Sequence, residues 1–146
     1  MSARFRFLRL AAALLSVTAA TMVVATPAEA QAPARKLFLS VTTDDPWRAW
    51  MALSFAEQVQ ARGHGVTVWL VNEGVRLAVR EPGQQAKDAN AQLRKLIDKG
   101  VAVLVCQGCM AQAGVKADDL MPGARLSTPD TTIPLALDPQ AATLSW

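Results

Sequence analysis

This chain of 146 residues contains very few thiol or imidazole ligands: two cysteines and one histidine. A structural zinc site needs four ligands, usually from a second C-x-x-C or a pair of histidines. Neither is present, so His64, Cys106 and Cys109 cannot complete one. Also missing is a cluster of lysines and arginines on one segment, the footprint a nucleic-acid partner requires. The sequence has no internal repeat. Its longest apolar stretch, AAALLSVTAATMVVA, is short for a bilayer span of roughly 20 residues.

That stretch has a different reading. Arg4, Arg6 and Arg9 form a positive head before it, and Ala28 and Ala30 form an A-x-A site after it. Positive head, apolar middle and small-residue site together describe a secretory signal peptide over residues 1–30, cut after Ala30. The expectation is an exported, periplasmic protein with no stable membrane insertion after cleavage. Removing residues 1–30 takes away those three arginines and Glu29, which leaves 12 basic and 11 acidic residues of the original 15 and 12. The formal charge falls from +3 to +1, so the basic excess belongs mainly to the leader. Residues 31–35 read as a flexible leader and residues 36–146 as one α/β domain, long enough to bury a core without staples.

Within that domain, KLFLSV (36–41), GVTVWLV (65–71) and VAVLVC (101–106) are nearly continuous apolar runs and read as buried strands. Between the first two, Thr43, Asp44 or Asp45 can cap a helix whose first residue is Pro46, running to about Arg62 and stopped by Gly63. A turn at Asn72–Gly74 leads to a short helix, and EPGQQAKDA reads as a surface loop. An amphipathic helix over 90–100 follows, with Asn90 as its cap and Gly100 as its stop. After the third strand come a short helix over MAQAGV, another turn of helix in KADDL, and a weak fourth strand around Arg125. The tail holds a fifth strand or irregular chain. Strands apolar on both faces and separated by helices predict a single doubly wound, mostly parallel five-stranded sheet. Chemistry in such sheets lies beyond the carboxyl ends of the strands. TTDDPW, NEGV and CQGCM fall there.

Both cysteines therefore sit on the chemical edge of the fold, in VAVLVCQGCM at residues 101–110. A bridge between them closes a very small loop and gains little from loop entropy, so a purely structural staple is a poor use of the spacing. A cysteine between a strand and a helix meets unpaired N–H groups and the positive end of the helix, and both favour the thiolate, which is the nucleophile. Cys106 occupies that junction. Cys109 lies one turn on, within reach to resolve a bond formed on Cys106, and Gly108 keeps the turn unhindered. Spacing alone leaves thiol–disulfide exchange, sulfur transfer through a persulfide and soft-metal capture open; copper(I) would use Cys106, Cys109 and Met110. A thioredoxin fold fits poorly, because the motif follows the third strand rather than an early one and heads only a short helix. Ile133-Pro134 is then an ordinary loop proline, and Met110 packs under its helix.

Other polar residues have plainer readings. Asp44 and Asp45 cap a helix, Asn72 and Glu73 make a turn, Asp118 and Asp119 begin a helical turn, and Arg125 is solvated. Trp47 and Trp50 line a pocket or a subunit contact, or pack in the core.

The segments KLFLSVTTDDPWRAWMALSFAEQ, GVTVWLVNEGV and above all VLVCQGCMAQAGVKADDLMPGARL resemble the DsrE/DsrF-like family, from about Lys36 to Leu126. In that family a cysteine ends a strand, a small-residue helix follows, and a glycine comes eight positions later, before a leucine and a Gly-Ala pair. Cys106, Gly114, Leu120, Gly123 and Ala124 match. The resemblance implies the five-stranded fold, trimers or hexamers, and a persulfide relayed on Cys106 to or from a donor or acceptor protein. Cys109 is then an auxiliary or resolving thiol, with no cofactor or metal; such a chain is a sulfurtransferase-like carrier. The export signal departs from the cytoplasmic relays of the family. An oxidising compartment would hold Cys106 and Cys109 as a disulfide unless a reductant opens it. The alternatives are an oligomeric binding module with an inert, oxidised pair, and a periplasmic thiol–disulfide or soft-metal protein.

Overall fold

The computed structural model describes residues 34–146; the signal peptide expected over residues 1–30 and most of the leader expected over 31–35 lie outside the described residues. Five strands form one sheet in the order β4-β3-β2-β1-β5, and every pairing is parallel. The strands are β1 (Lys36–Val41), β2 (Gly65–Leu70), β3 (Ala102–Cys106), β4 (Ala124–Ser127) and β5 (Ala141–Ser145). Helices α1 (Pro46–Ala61), α2 (Lys87–Asp98), α3 (Gln107–Ala113) and α4 (Pro129–Ala136) connect them, with 3-10 turns at Asn72–Ala78, Gln84–Ala86 and Ala117–Asp119. Among the described residues no helix is long and apolar enough to cross a membrane.

Side chains alternate across a strand, and partners in register share a face. Leu39, Val68 and Val103 are in register, as are Val41, Leu70 and Val105. All six are fully buried with Ala49, Ala52, Leu53 and Ala56 of α1 and Leu93 and Leu96 of α2. Each such aliphatic side chain taken from water contributes about 2 kcal/mol. The opposite face carries Phe38, Ser40, Trp69, Leu104, Cys106 and Ser127. The chain advances stepwise from β1 to β4 and then returns across the sheet to β5. With right-handed crossovers, that reversal puts α4 on the second face.

Local chemistry sets the boundaries. Asp45 caps α1 by accepting the Arg48 N–H at 2.9 Å, and Pro46 takes the first helical position. Asp44 instead pairs with Arg76 at 3.4 Å. Trp47 and Trp50 are not core residues: Trp47 is 71% exposed, Trp50 is 46% exposed, and their rings lie 6.1 Å apart on the outer side of α1. The expected surface loop over EPGQQAKDA contains a 3-10 turn and the first turn of α2, so Asn90 lies inside the helix rather than capping it. Its buried amide donates to the carbonyls of Leu77 and Val79, both at 2.7 Å. Those carbonyls end a 3-10 turn that cannot satisfy them internally, which is why a polar residue is retained in this helix face. Gly74 packs so tightly on the Val41 carbonyl that any Cβ would overlap it.

The tail is ordered as α4 and β5. Strand β5 pairs with β1, and Trp146 continues the ladder by donating its N–H to the Ser40 carbonyl at 2.8 Å. Lys36 and Asp138 form an ion pair of 2.6 Å where the chain enters β5, and that lysine holds the half-buried Asp138 carboxyl below its ordinary range. Pro134 is not in a loop, as the sequence suggests, but inside α4.

Asn90→Ala would strand two carbonyl groups and is expected to destabilise the fold by about 2 kcal/mol. A shift of the urea midpoint to lower concentration checks this; an unchanged midpoint would show that solvent already serves both carbonyls.

Candidate functional site

The last residue of β3 is also the residue that caps α3. Cys106 has extended backbone angles (φ −61°, ψ 112°), and the Cys109 N–H donates to its Sγ at 3.2 Å. The sulfur thus satisfies one of the amides that every helix start leaves without a partner. Helix α3 ends after two turns at Gly114, whose φ of +69° lies in the left-handed region that favours glycine. Met110 is buried in the core beneath the helix, as expected. An added Cβ at Gly108 would meet nothing within 4 Å, so this glycine is not needed to relieve the turn.

Cys106 and Cys109 are joined as a disulfide, with Cα atoms 5.2 Å apart. Both are half-buried. They differ in what they face. Cys106 forms part of the wall of a cavity of about 810 Å³, and Cys109 does not. On reduction, the amide that meets Cys106 Sγ is in place to stabilise a thiolate there.

The cavity lies on the second face of the sheet, between the start of α3 and the inner side of α4. Trp69, Ser127, Pro129, Thr132, Ile133 and Ala136 complete its wall with Gln107, Gly108, Ala111 and Thr128. The Trp69 indole N–H donates to Ser127 Oγ at 3.1 Å, which leaves the ring itself turned to the cavity as apolar surface. Ser127 is in register with Cys106 on the neighbouring strand, so the hydroxyl and the sulfur share one edge.

Sequence reasoning brings Cys106 and Cys109 together but misses this wall. Trp69 was legible as a strand residue, and period-2 alternation against Val68 and Leu70 assigns it to the other face. Ser127 sits in the weakest strand, and Ile133 in a helix the sequence conceals. Other residues at the carboxyl edge are elsewhere: Asn72 takes a positive φ of 48° at the start of its 3-10 turn, and Glu73 is exposed beside it. Asp118 and Asp119 fall in the 3-10 turn before β4, where Asp119 accepts the Lys116 N–H at 2.8 Å; Arg125 is exposed on β4. His64 is away from the cysteines, with Nδ1 accepting the Arg35 N–H at 3.2 Å.

The unequal placement of the two sulfurs has a direct chemical test. After reduction, sub-stoichiometric alkylation followed by peptide mapping should label Cys106 before Cys109; labelling of Cys109 first would reverse the assignment of the accessible sulfur.

Comparisons with known proteins agree with this architecture. The model of the DsrE/DsrF-like family matches residues 35–144. The uncharacterized protein MJ0989 of Methanocaldococcus jannaschii is 33% identical over 95 residues, covering 62% of this chain and 83% of that one. Among solved structures, the protein of unknown function MTH1491 from Methanobacterium thermoautotrophicum superposes with a TM-score of 0.62 at 19% identity. The ychN protein of E. coli gives 0.60 at 17%. Each alignment covers 77% of this chain and 99% of the other, and at such identities it is the fold that is shared. With a family model spanning all five strands and the fold reproduced in independent structures, the chain belongs to the DsrE/DsrF-like family.

Proposed function

We propose that this protein is an exported sulfur carrier that holds sulfane sulfur as a persulfide on Cys106, with Cys109 as the resolving thiol. The observation that carries the reading is the position of Cys106 Sγ, at the end of β3, against the Cys109 amide and open to a cavity. Nucleophilic sulfur needs a stabilised thiolate and an approach path, and this position supplies both. Family membership supports the same chemistry. The signal-like N-terminus supports a periplasmic location, and a donor or acceptor protein is the partner that a carrier requires. Self-association as a trimer or hexamer belongs to the same reading.

Charging starts from the open dithiol. The Cys106 thiolate attacks the outer sulfur of a donor persulfide; the donor's S–S bond breaks, the donor leaves as a thiolate, and Cys106 carries –S–SH. No net oxidation occurs. In discharge to an acceptor the same sulfur moves on and Cys106 returns to the thiolate. Cys109 offers a second exit: its thiolate attacks Cys106 Sγ, hydrosulfide leaves, and the Cys106–Cys109 disulfide forms. The two electrons gained by the departing sulfur are those lost by the thiol pair. The Cys106–Cys109 disulfide of the structure is the bond that this exit would form. Cys109 in this role limits how long a persulfide survives.

Intact mass of the reduced protein, before and after inorganic polysulfide, tests the carrier. The expected result is a gain of one sulfur atom that a thiol reductant removes, absent in Cys106→Ala and retained for longer in Cys109→Ala. Uptake lost in Cys109→Ala and kept in Cys106→Ala would transfer the role to the other cysteine; no uptake in the reduced wild type would leave the redox or inert reading.

A further inference from the structure

We propose that the cavity beside Cys106 is a binding site for an uncharged organosulfur compound with an apolar body, and that this compound presents its sulfur to Cys106. Transfer of sulfur rests on the carrier reading above; binding does not.

Size is the first argument. A volume of about 810 Å³ lies within the range of small-molecule sites, about 300–1,000 Å³. A persulfide adds one atom and would leave nearly all of that space empty. Apolar surface left facing such a space forgoes its packing partners, so the cavity has a use beyond holding sulfur.

The chemistry of the wall selects the occupant. Apart from the cysteine itself, no ionisable side chain lines the cavity. Two of its hydroxyls are engaged: Ser127 Oγ accepts from Trp69, and Thr132 Oγ1 donates to the Thr128 carbonyl at 2.8 Å; the remaining polar side chains of the wall, Gln107 and Thr128, are uncharged. A thiol bearing carboxylates would surrender hydration there without an ion partner, which is strongly unfavourable. The ring of Trp69, the aliphatic side chain of Ile133 and the small Ala111 instead offer a slot for a hydrocarbon or aromatic group. Cys106 is the one reactive atom in the wall, so a ligand held in this slot has its sulfur beside the sulfur that reacts. An apolar persulfide R–S–SH would then react as a donor. With the disulfide first opened by a dithiol reductant, the Cys106 thiolate takes the outer sulfur, the S–S bond of the donor breaks, and R–S⁻ leaves.

Two measurements on the full chain separate this inference from the carrier reading. In the first, the unreactive thioether benzyl methyl sulfide is titrated calorimetrically into a Cys106→Ser/Cys109→Ser variant. Saturable binding is expected, weakened by about tenfold or more when Ala111→Trp fills the slot; a tenfold loss corresponds to about 1.4 kcal/mol. Ile133→Asn, at a side chain already 54% exposed, repeats the test without adding bulk and should weaken binding in the same direction. In the second, the reduced wild type is charged with benzyl persulfide or with glutathione persulfide, each released from its symmetric trisulfide by one equivalent of the matching thiol (R–S–S–S–R + R–SH giving R–S–SH + R–S–S–R), and the benzyl donor should charge Cys106 about tenfold faster or more.

Absence of thioether binding, binding indifferent to both variants, or equal charging by the glutathione donor would overturn the inference. So would thioether exclusion with an Ala111→Trp chain that loses self-association in sedimentation, since a second copy would then fill the slot. Charging by inorganic polysulfide in any of those cases would leave the carrier reading intact. Thioether binding that both variants weaken, in a protein that polysulfide never charges, would support the site and remove the carrier.

Discussion

Everything in this fold follows from a parallel sheet that must be covered on two sides. Parallel strands reach their neighbours through crossovers, and those crossovers supply the cover. Here α1 and α2 lie over Leu39, Val41, Val68, Leu70, Val103 and Val105, and that side is packed to completion. The other face has to be covered after the chain turns back from β4 to β5. Helix α4 does so with eight residues. Such a short helix cannot close the whole face, and the cavity is what it leaves open. The parity of β3 then settles which side receives the last residue: Val103 and Val105 point into the packed core, so Leu104 and Cys106 point to the thinly covered side. A shift of one residue in the register of β3 would bury the sulfur and expose the valines.

Legibility in the sequence tracks how locally each feature is determined. The three long strands were readable because two-sided burial imposes uninterrupted apolar runs, and α1 because Asp45 and Pro46 are side-chain and backbone signals in sequence. The matched glycine eight residues after Cys106 has a local cause as well: Gly114 ends α3 in a conformation that other residues enter with strain. Features fixed by tertiary partners were not readable. Asn90 has the chemistry of a cap, and only the carbonyls of Leu77 and Val79 from a distant turn explain it as an interior residue. Trp47 and Trp50 follow the apolar rule for the core yet are displaced to the surface, because alanines 49, 52 and 56 let α1 approach the sheet closely along its inner side. Helix α4 carries an internal proline and paired threonines, so propensity argues against it. It is held by the Thr128–Thr131 capping box and by the sheet beneath.

The candidate site shows the same division. The cysteines and their place at the carboxyl edge came from spacing and topology. Their environment did not, since the cavity is made by Trp69 from β2, Ser127 from the weakest strand and Ile133 from the concealed helix. Trp69 lies 58 positions before Ser127 along the chain, and nothing in their neighbourhoods signals a common wall.

Stability does not account for this arrangement. A loop closed over three residues removes little entropy from the unfolded chain, so the disulfide contributes weakly on that ground. The apolar cavity forgoes dispersion contacts that a bulkier side chain at Ala111 or Ala136 would restore. A half-covered sheet face leaves Ile133 and Leu137 in water. Two of these features, the short-loop disulfide and the apolar cavity, meet at one sulfur atom. Local conflicts of this kind concentrate where a chain is selected for chemistry rather than for folding. In this fold they concentrate at Cys106.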